Sequence, residues 1–174
     1  MTDGKTVIAG IAVPSTSPFF LSVVGLHVLL GLACTIAGLV AMLSKKGHGR
    51  HLSFGTIYYR CLLAVFLTAA GLSVARWSED YHLLILGTLS FAAAHFGRMA
   101  LRTRWPWPQL HVIGMSASYI LLLTAFYVDN GKNLQLWREL PQMAFWLLPS
   151  AIGAPIILYV LRRHSVIKSF DRAG

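Results

Sequence analysis

The feature that most constrains this chain is a long run without charge, since residues 6–44 contain no Asp, Glu, Lys or Arg. A transmembrane helix requires about 20 predominantly apolar residues, and the most apolar part of this run, residues 19–43, meets that requirement. Only 12% of all residues are charged, whereas a soluble domain carries about 25%. Together with a mean hydropathy of +0.62, these observations argue against a water-soluble globule and predict an integral membrane protein.

Four further apolar segments are long enough to cross a bilayer. They are residues 56–75, 81–100, 109–128 and 142–161. The segment that begins at residue 109 follows the sequence WPWP at residues 105–108, and proline favours the first turn of a helix. Pro149 and Pro155 lie inside the last segment, where neighbouring helices can satisfy the carbonyl groups that proline leaves without a donor. The sequence therefore predicts an all-α fold, with residues 1–174 forming one transmembrane domain of five helices.

Basic residues are distributed unequally between the two ends of these segments. Eleven of the 15 Lys and Arg lie on one side, in the 44–55 and 98–108 loops, at Arg60 and in the C-terminal tail. The other four lie on the opposite side with five of the six acidic residues. Because cytoplasmic loops carry the excess of Lys and Arg, we expect the N-terminus outside and the C-terminus in the cytoplasm. The net charge of +9 then reflects topology and contact with anionic lipid, and no nucleic-acid partner is predicted.

Four histidines lie within or at the ends of the predicted spans, where an ionisable side chain is costly and often functional. His95 and His111 form a pair near the inner face, and His27 and His82 form a pair near the outer face. Neutral imidazole is a ligand of haem iron. The sharpest hypothesis is therefore a b-type haem held by His95 and His111, with His27 and His82 as a weaker second pair. Such a protein would exchange electrons with quinone.

Residues close to the inner pair bear on that hypothesis. Gly114 and Ser118 follow His111 at the i+3 and i+7 positions, so this face is expected to leave room for a flat macrocycle. Arg98 and Arg60 flank the pair and are expected to contact haem propionates, a quinone oxygen or lipid phosphate. The simpler role for both arginines is to extend to the membrane surface.

Two observations keep a second function open. His82 and His95 are 13 residues apart and therefore about 140° apart around a helix, which argues against two haems stacked in one seam. Histidines in spans also form ordinary hydrogen bonds between helices. The alternative is a non-catalytic accessory or assembly protein that holds no cofactor and binds a membrane partner laterally. No nucleophile with an adjacent base can be assigned, so no catalytic residue is predicted, and no inverted repeat indicates a transporter.

Metal binding and disulfide formation receive little support from the sequence. A metal held outside by His27, His82 and Asp129 is conceivable, but neither HExxH nor CxxC occurs, and no metal site is predicted. Cys34 and Cys61 both lie inside predicted spans, so we expect small packed core residues and no disulfide.

Small residues recur four positions apart in several spans. The pairs are Ala33 with Ala37, Gly71 with Ala75, Ala93 with Gly97, and Gly114 with Ser118. This spacing lets helix backbones approach closely in lipid. We expect these faces to pack within the five-helix bundle, and a homo-oligomer interface is the alternative.

Two segments carry a resemblance to known proteins. They are HVIGMSASYILLLTAFYVDNGKNLQLWRELPQ, residues 111–142, and KKGHGRHLSFG, residues 45–55. Both resemble segments of a family of small bacterial multi-span membrane proteins, which implies a bacterial inner-membrane helical bundle and no particular activity. The number of spans and the paired histidines also resemble the architecture of b561-type cytochromes, without a matching motif. Within the first segment, Asp129 lies either at an outer-face site or in a structural turn.

Overall fold

The computed structural model describes residues 6–8, 11–13, 18–45, 49–102, 108–135 and 137–163. Five helices make up most of this part: α1 (Pro18–Leu43), α2 (Arg50–Ala75), α3 (Trp77–Arg102), α4 (Pro108–Asn130) and α5 (Gln142–Arg163). A short 3-10 helix, Gly131–Asn133, follows α4. Each of the five helices is long and apolar enough to cross a membrane. The prediction of five helices that are long and apolar enough to span a membrane is therefore confirmed.

A short β-hairpin precedes the helices. Its strands are β1 (Thr6–Ile8) and β2 (Ile11–Val13), which pair antiparallel with Thr6 opposite Val13. The sequence pattern did not indicate these strands, because three residues are too few to show an alternation of apolar and polar side chains. From residue 18 onward, the described chain consists of helices and their connections.

The helix ends differ from the predicted spans most clearly around α2. This helix begins at Arg50, six residues before the predicted start, and only Arg76 separates its end from the start of α3. Hydropathy detects the part of a helix that suits the bilayer, whereas the helix itself continues into more polar residues. Arg60, which was expected in the first turn of its span, lies ten residues after the start of α2 and is exposed.

The chain divides into two compact units, Met1–Leu84 and Ile85–Gly174. In the first unit, α1 packs against α2. The buried residues at this contact are Cys34, Ala37 and Ala41 of α1 with Tyr58, Leu62 and Val65 of α2. The thiol of Cys34 lies 3.6 Å from the carbonyl oxygen of Tyr58. Both cysteines are free, Cys34 being buried and Cys61 half-buried.

In the second unit, the later part of α3 packs against α4, and α4 packs against α5. Ser90 and Ser118 are buried between α3 and α4, where the Ser90 hydroxyl donates to the Ser118 carbonyl oxygen at 2.9 Å. Gly153 of α5 faces the side chain of Ile120 of α4. Pro149 and Pro155 lie inside α5, as predicted.

Candidate functional site

His111 joins two helices of the second unit. It is the fourth residue of α4, and its Nδ1 atom lies 3.0 Å from the carbonyl oxygen of Gly97 in α3. A carbonyl oxygen only accepts hydrogen bonds, so Nδ1 carries the proton. In the neutral ring the lone pair is therefore on Nε2.

The face of α4 that carries His111 is closed by α3. A Cβ atom added at Gly114 would lie 2.7 Å from the Ala93 carbonyl oxygen and from the Gly97 Cα atom, and Ser118 is fully buried. The small residues therefore bring two backbones together, as small residues do in membrane helix pairs. Gly114 therefore serves the contact with α3 and does not leave open space beside it, and haem binding at His111 stays a prediction.

His95 lies on another side of α3. It precedes Gly97 by two residues, which places it about 200° away from Gly97 around the helix. The side chain is exposed, and its ring centroid lies 6.1 Å from those of Phe91 and Phe96. The structure therefore does not bring His95 and His111 together across the contact between α3 and α4. Haem binding at His95 and at His111 stays a prediction.

His27, of the outer pair, contacts a residue that the sequence did not single out. Its Nδ1 atom lies 2.8 Å from Oγ1 of Thr68 in α2. That hydroxyl also lies 2.9 Å from the Ala64 carbonyl oxygen and 3.0 Å from the Val65 carbonyl oxygen. Since the carbonyls only accept, the hydroxyl donates to them and accepts from Nδ1–H of His27. The sequence could have indicated Thr68, because it is a polar residue in the neighbouring span at about the same depth as His27.

His82, the other outer residue, is the sixth residue of α3. It is half-buried, and its ring meets the ring of Tyr81 edge-on with centroids 5.7 Å apart. Within the described ranges, no group of three or more His, Cys, Asp or Glu side chains is arranged to hold a metal ion.

His51 has a role that its position in a basic segment did not indicate. It is the second residue of α2, is half-buried, and places Nδ1 2.9 Å from the carbonyl oxygen of Ala41 in α1. His27, His51 and His111 thus each use Nδ1 to join a pair of helices. In metal-binding histidines the same kind of bond orients the ring for the metal. At these three histidines, contact between the two helices is enough to explain the bond.

The exposed side of α3 combines chemically different groups along one stripe. We define the α3 stripe as Phe91, His95, Arg98, Met99 and Arg102, all within about 60° of His95 around the helix. His95, Met99 and Arg102 are exposed, and the other two are half-exposed. His95 lies seven residues before the end of α3, about 10 Å along the axis. The stripe therefore places an imidazole, apolar side chains and two guanidinium groups on one surface.

The connection between α4 and α5 has the features of a structural turn. The Nζ atom of Lys132 donates to the carbonyl oxygens of Arg138, at 3.1 Å, and Leu140, at 2.6 Å. Asp129 is exposed, and its Oδ2 atom accepts from the side-chain amide of Asn130 at 3.1 Å. These contacts favour the structural interpretation of Asp129 over an outer-face site.

Comparison with protein-family models, with curated proteins and with solved structures found no match. The two resemblances noted in the sequence therefore stay predictions.

Proposed function

We propose that this protein is a multi-pass membrane protein that binds a b-type haem on the α3 stripe, where His95 would hold the iron. The observation that carries the proposal is the exposure of His95 within a helix long and apolar enough to span a membrane. An ionisable side chain within a membrane span is rare and often functional, and neutral imidazole is a ligand of haem iron.

The chemistry of the stripe suits a haem. Phe91 and Met99 flank His95 and provide apolar contacts for the macrocycle. Arg98 and Arg102 lie about 4 and 10 Å further along the helix axis, toward the end of α3. Haem carries two carboxylates at one edge, and guanidinium groups bind carboxylates with strong hydrogen bonds. The stripe is therefore apolar around His95 and positively charged toward the end of α3, as a haem is apolar over its ring and negatively charged at one edge.

A bound haem supplies a one-electron redox couple, and we propose quinone as the electron partner. Quinones dissolve in the hydrocarbon region of a membrane, and the α3 stripe is exposed on the side of α3 that α4 does not cover. The role of this chain is to provide the iron ligand, hold the carboxylates and keep the cofactor at a defined depth.

The proposal includes an orientation in a bacterial inner membrane, with the N-terminus outside and the C-terminus in the cytoplasm. It is supported by the distribution of basic residues along the sequence. In this orientation Arg98 and Arg102 lie near the cytoplasmic surface, where haem carboxylates can remain hydrated.

A second candidate function is that of an accessory or assembly subunit without a cofactor. It is favoured by the same exposed stripe, which can also pack against a helix of a partner membrane protein, and by the close packing at His111. The two functions differ in whether the purified protein absorbs visible light.

The test is an absorption spectrum of the protein purified in mild detergent from haem-replete cells, before and after reduction with dithionite. We expect a Soret band that shifts and sharpens on reduction. We expect His95→Ala to remove this band and His111→Ala, the matched control at the closed face, to retain it. A colourless wild-type protein, or a His95→Ala protein with an unchanged spectrum, would overturn the proposal.

A further inference from the structure

We infer that α2 carries a binding site for the phosphate of an anionic phospholipid, with Arg60 as the principal ligand and Ser53 as a second one. The inference is independent of haem binding and of the direction in which the chain crosses the membrane. It follows from the depth of Arg60 in its helix, from the charges of the first unit and from the residues that share the exposed face of Arg60.

Arg60 lies within the part of α2 that a bilayer covers. A hydrocarbon core about 30 Å thick requires about 20 helical residues. Because α2 ends at Ala75 and is followed by Arg76, these 20 residues begin near residue 56. The Cα atom of Arg60 is then about 6 Å inside the hydrocarbon, and its side chain is exposed. A guanidinium group stays charged in proteins, so at this depth it needs an anion or has to extend to the membrane surface.

The first unit does not supply that anion. Asp80 is the one acidic side chain that the structure describes in this unit, and it lies beyond the far end of α2, 3.7 Å from Arg76. That end of α2 is about 22 Å from Arg60 along the helix axis. In the described part of the chain, no hydrogen bond or ion pair involves the Arg60 side chain. An anion at Arg60 therefore has to come from outside these residues.

The face of α2 that carries Arg60 has the order of groups that a phospholipid requires. We define the α2 stripe as Ser53, Ile57, Arg60, Leu63 and Leu67, all exposed and all within about 60° of Arg60 around the helix. Side chains of a helix tilt toward its N-terminus, so the guanidinium extends toward Ser53, which lies about 10 Å nearer the start of α2. Leu63 and Leu67 continue the stripe in the other direction, where an acyl chain would lie.

Charge complementarity decides between the possible anions. A guanidinium binds a phosphate through two parallel hydrogen bonds, and a serine hydroxyl can donate another. Lys45 and Arg50, the other charged side chains described at this end of the first unit, are exposed and basic. A headgroup with a net negative charge offsets them, whereas a zwitterionic one does not. Free phosphate stays in water, while the acyl chains of a lipid keep its phosphate at the boundary that Arg60 can reach.

The experiment titrates phosphatidylglycerol into the full chain, purified in a mild neutral detergent and depleted of lipid, and counts bound lipid by native mass spectrometry. We expect one lipid to bind more tightly than the others. Arg60→Gln should weaken this lipid by about tenfold, the usual effect of losing a charged hydrogen bond. Ser53→Ala should weaken it less, and Arg60→Lys, which keeps the charge without the paired bonds, should lie between Arg60→Gln and the wild type.

The matched control is Arg162→Gln, because Arg162 is also exposed but lies at the end of α5. This variant removes the same charge and should leave the tightest lipid unchanged. Helicity and elution volume serve as the folding control for Arg60→Gln, since an exposed side chain can be removed without opening the core.

Two further probes separate the sources of phosphate. Phosphatidylethanolamine, which is zwitterionic, should bind more weakly than phosphatidylglycerol, and inorganic phosphate should not displace the bound lipid. Equal losses in Arg60→Gln and Arg162→Gln would show an effect of net charge alone and would overturn the site. Equal binding of the two lipids, displacement by inorganic phosphate, or no tightly bound lipid in the wild type would overturn it as well.

Discussion

The Nδ1 atom of His111 lies 3.0 Å from the carbonyl oxygen of Gly97, and the same two helices come into backbone contact where Gly97 meets Gly114. The bond and the contact depend on each other, because the imidazole reaches a helix carbonyl only when α3 lies close to α4. An ionisable residue that the sequence marked as a ligand candidate therefore serves as a link between helices. The following expectations derive from this link and from related contacts.

Replacing His111 with alanine should weaken the contact between α3 and α4 without removing a cofactor. The variant loses one hydrogen bond in a membrane-embedded contact, so we expect a destabilisation of about 1 kcal/mol. The measurement is the fraction of protein that remains monodisperse after heating in detergent. Leu89→Ala is the comparison, because Leu89 of α3 is exposed and its loss should leave this stability unchanged. Equal losses in the two variants would contradict the assignment.

Adding a methyl group at Gly114 should be more damaging. The new Cβ atom would lie 2.7 Å from the Ala93 carbonyl oxygen and from the Gly97 Cα atom, and backbone atoms cannot rotate away as side chains can. We expect Gly114→Ala to cost about 1–3 kcal/mol, as overpacking does elsewhere, in the same heating assay.

The matched control for this change is Gly31→Ala, since a Cβ atom at Gly31 would meet nothing within 4 Å. Alanine is favoured over glycine in a helix by about 1 kcal/mol, so this variant should be as stable as the wild type or more so. A Gly114→Ala protein as stable as Gly31→Ala would show that α3 and α4 are further apart than described.

The contact between His27 and Thr68 can be tested with two substitutions of similar volume. Thr68→Val removes the hydroxyl that accepts from His27 and leaves an N–H group facing apolar atoms, at an expected cost of about 1–3 kcal/mol. Thr68→Ser retains a hydroxyl and should lie closer to the wild type. The measurement is thermal stability in detergent, and a Thr68→Val protein more stable than Thr68→Ser would contradict the bond.

The orientation is testable with reporter fusions. A C-terminal fusion should be active with a reporter that functions in the cytoplasm and inactive with one that requires the periplasm, because basic residues are concentrated on the side of the C-terminus. A fusion in the 131–141 connection should give the reverse pattern. Periplasmic activity at the C-terminus would reject the proposed orientation.

The positions of the spanning helices followed from the sequence because they depend on a property of each segment alone. A run such as residues 19–43 suits a bilayer whatever its neighbours are. The start of α2 at Arg50 could not be inferred in this way, since hydropathy does not identify helical residues outside the apolar region. Thr68 and His51 were missed for another reason, because each becomes significant only through an atom on a neighbouring helix.

The sequence by itself determined that this is a membrane-type chain of five spanning helices, with histidines and small residues inside them. Only the tertiary structure decided how those residues are used. It placed His111, Gly97 and Gly114 in one closed contact and left His95 exposed on another side of α3. The physical reason is that helix rotation and neighbour distance set which side chains meet. A sequence specifies the angle between His95 and Gly97 around their helix, but packing determines which of the two faces α4 covers.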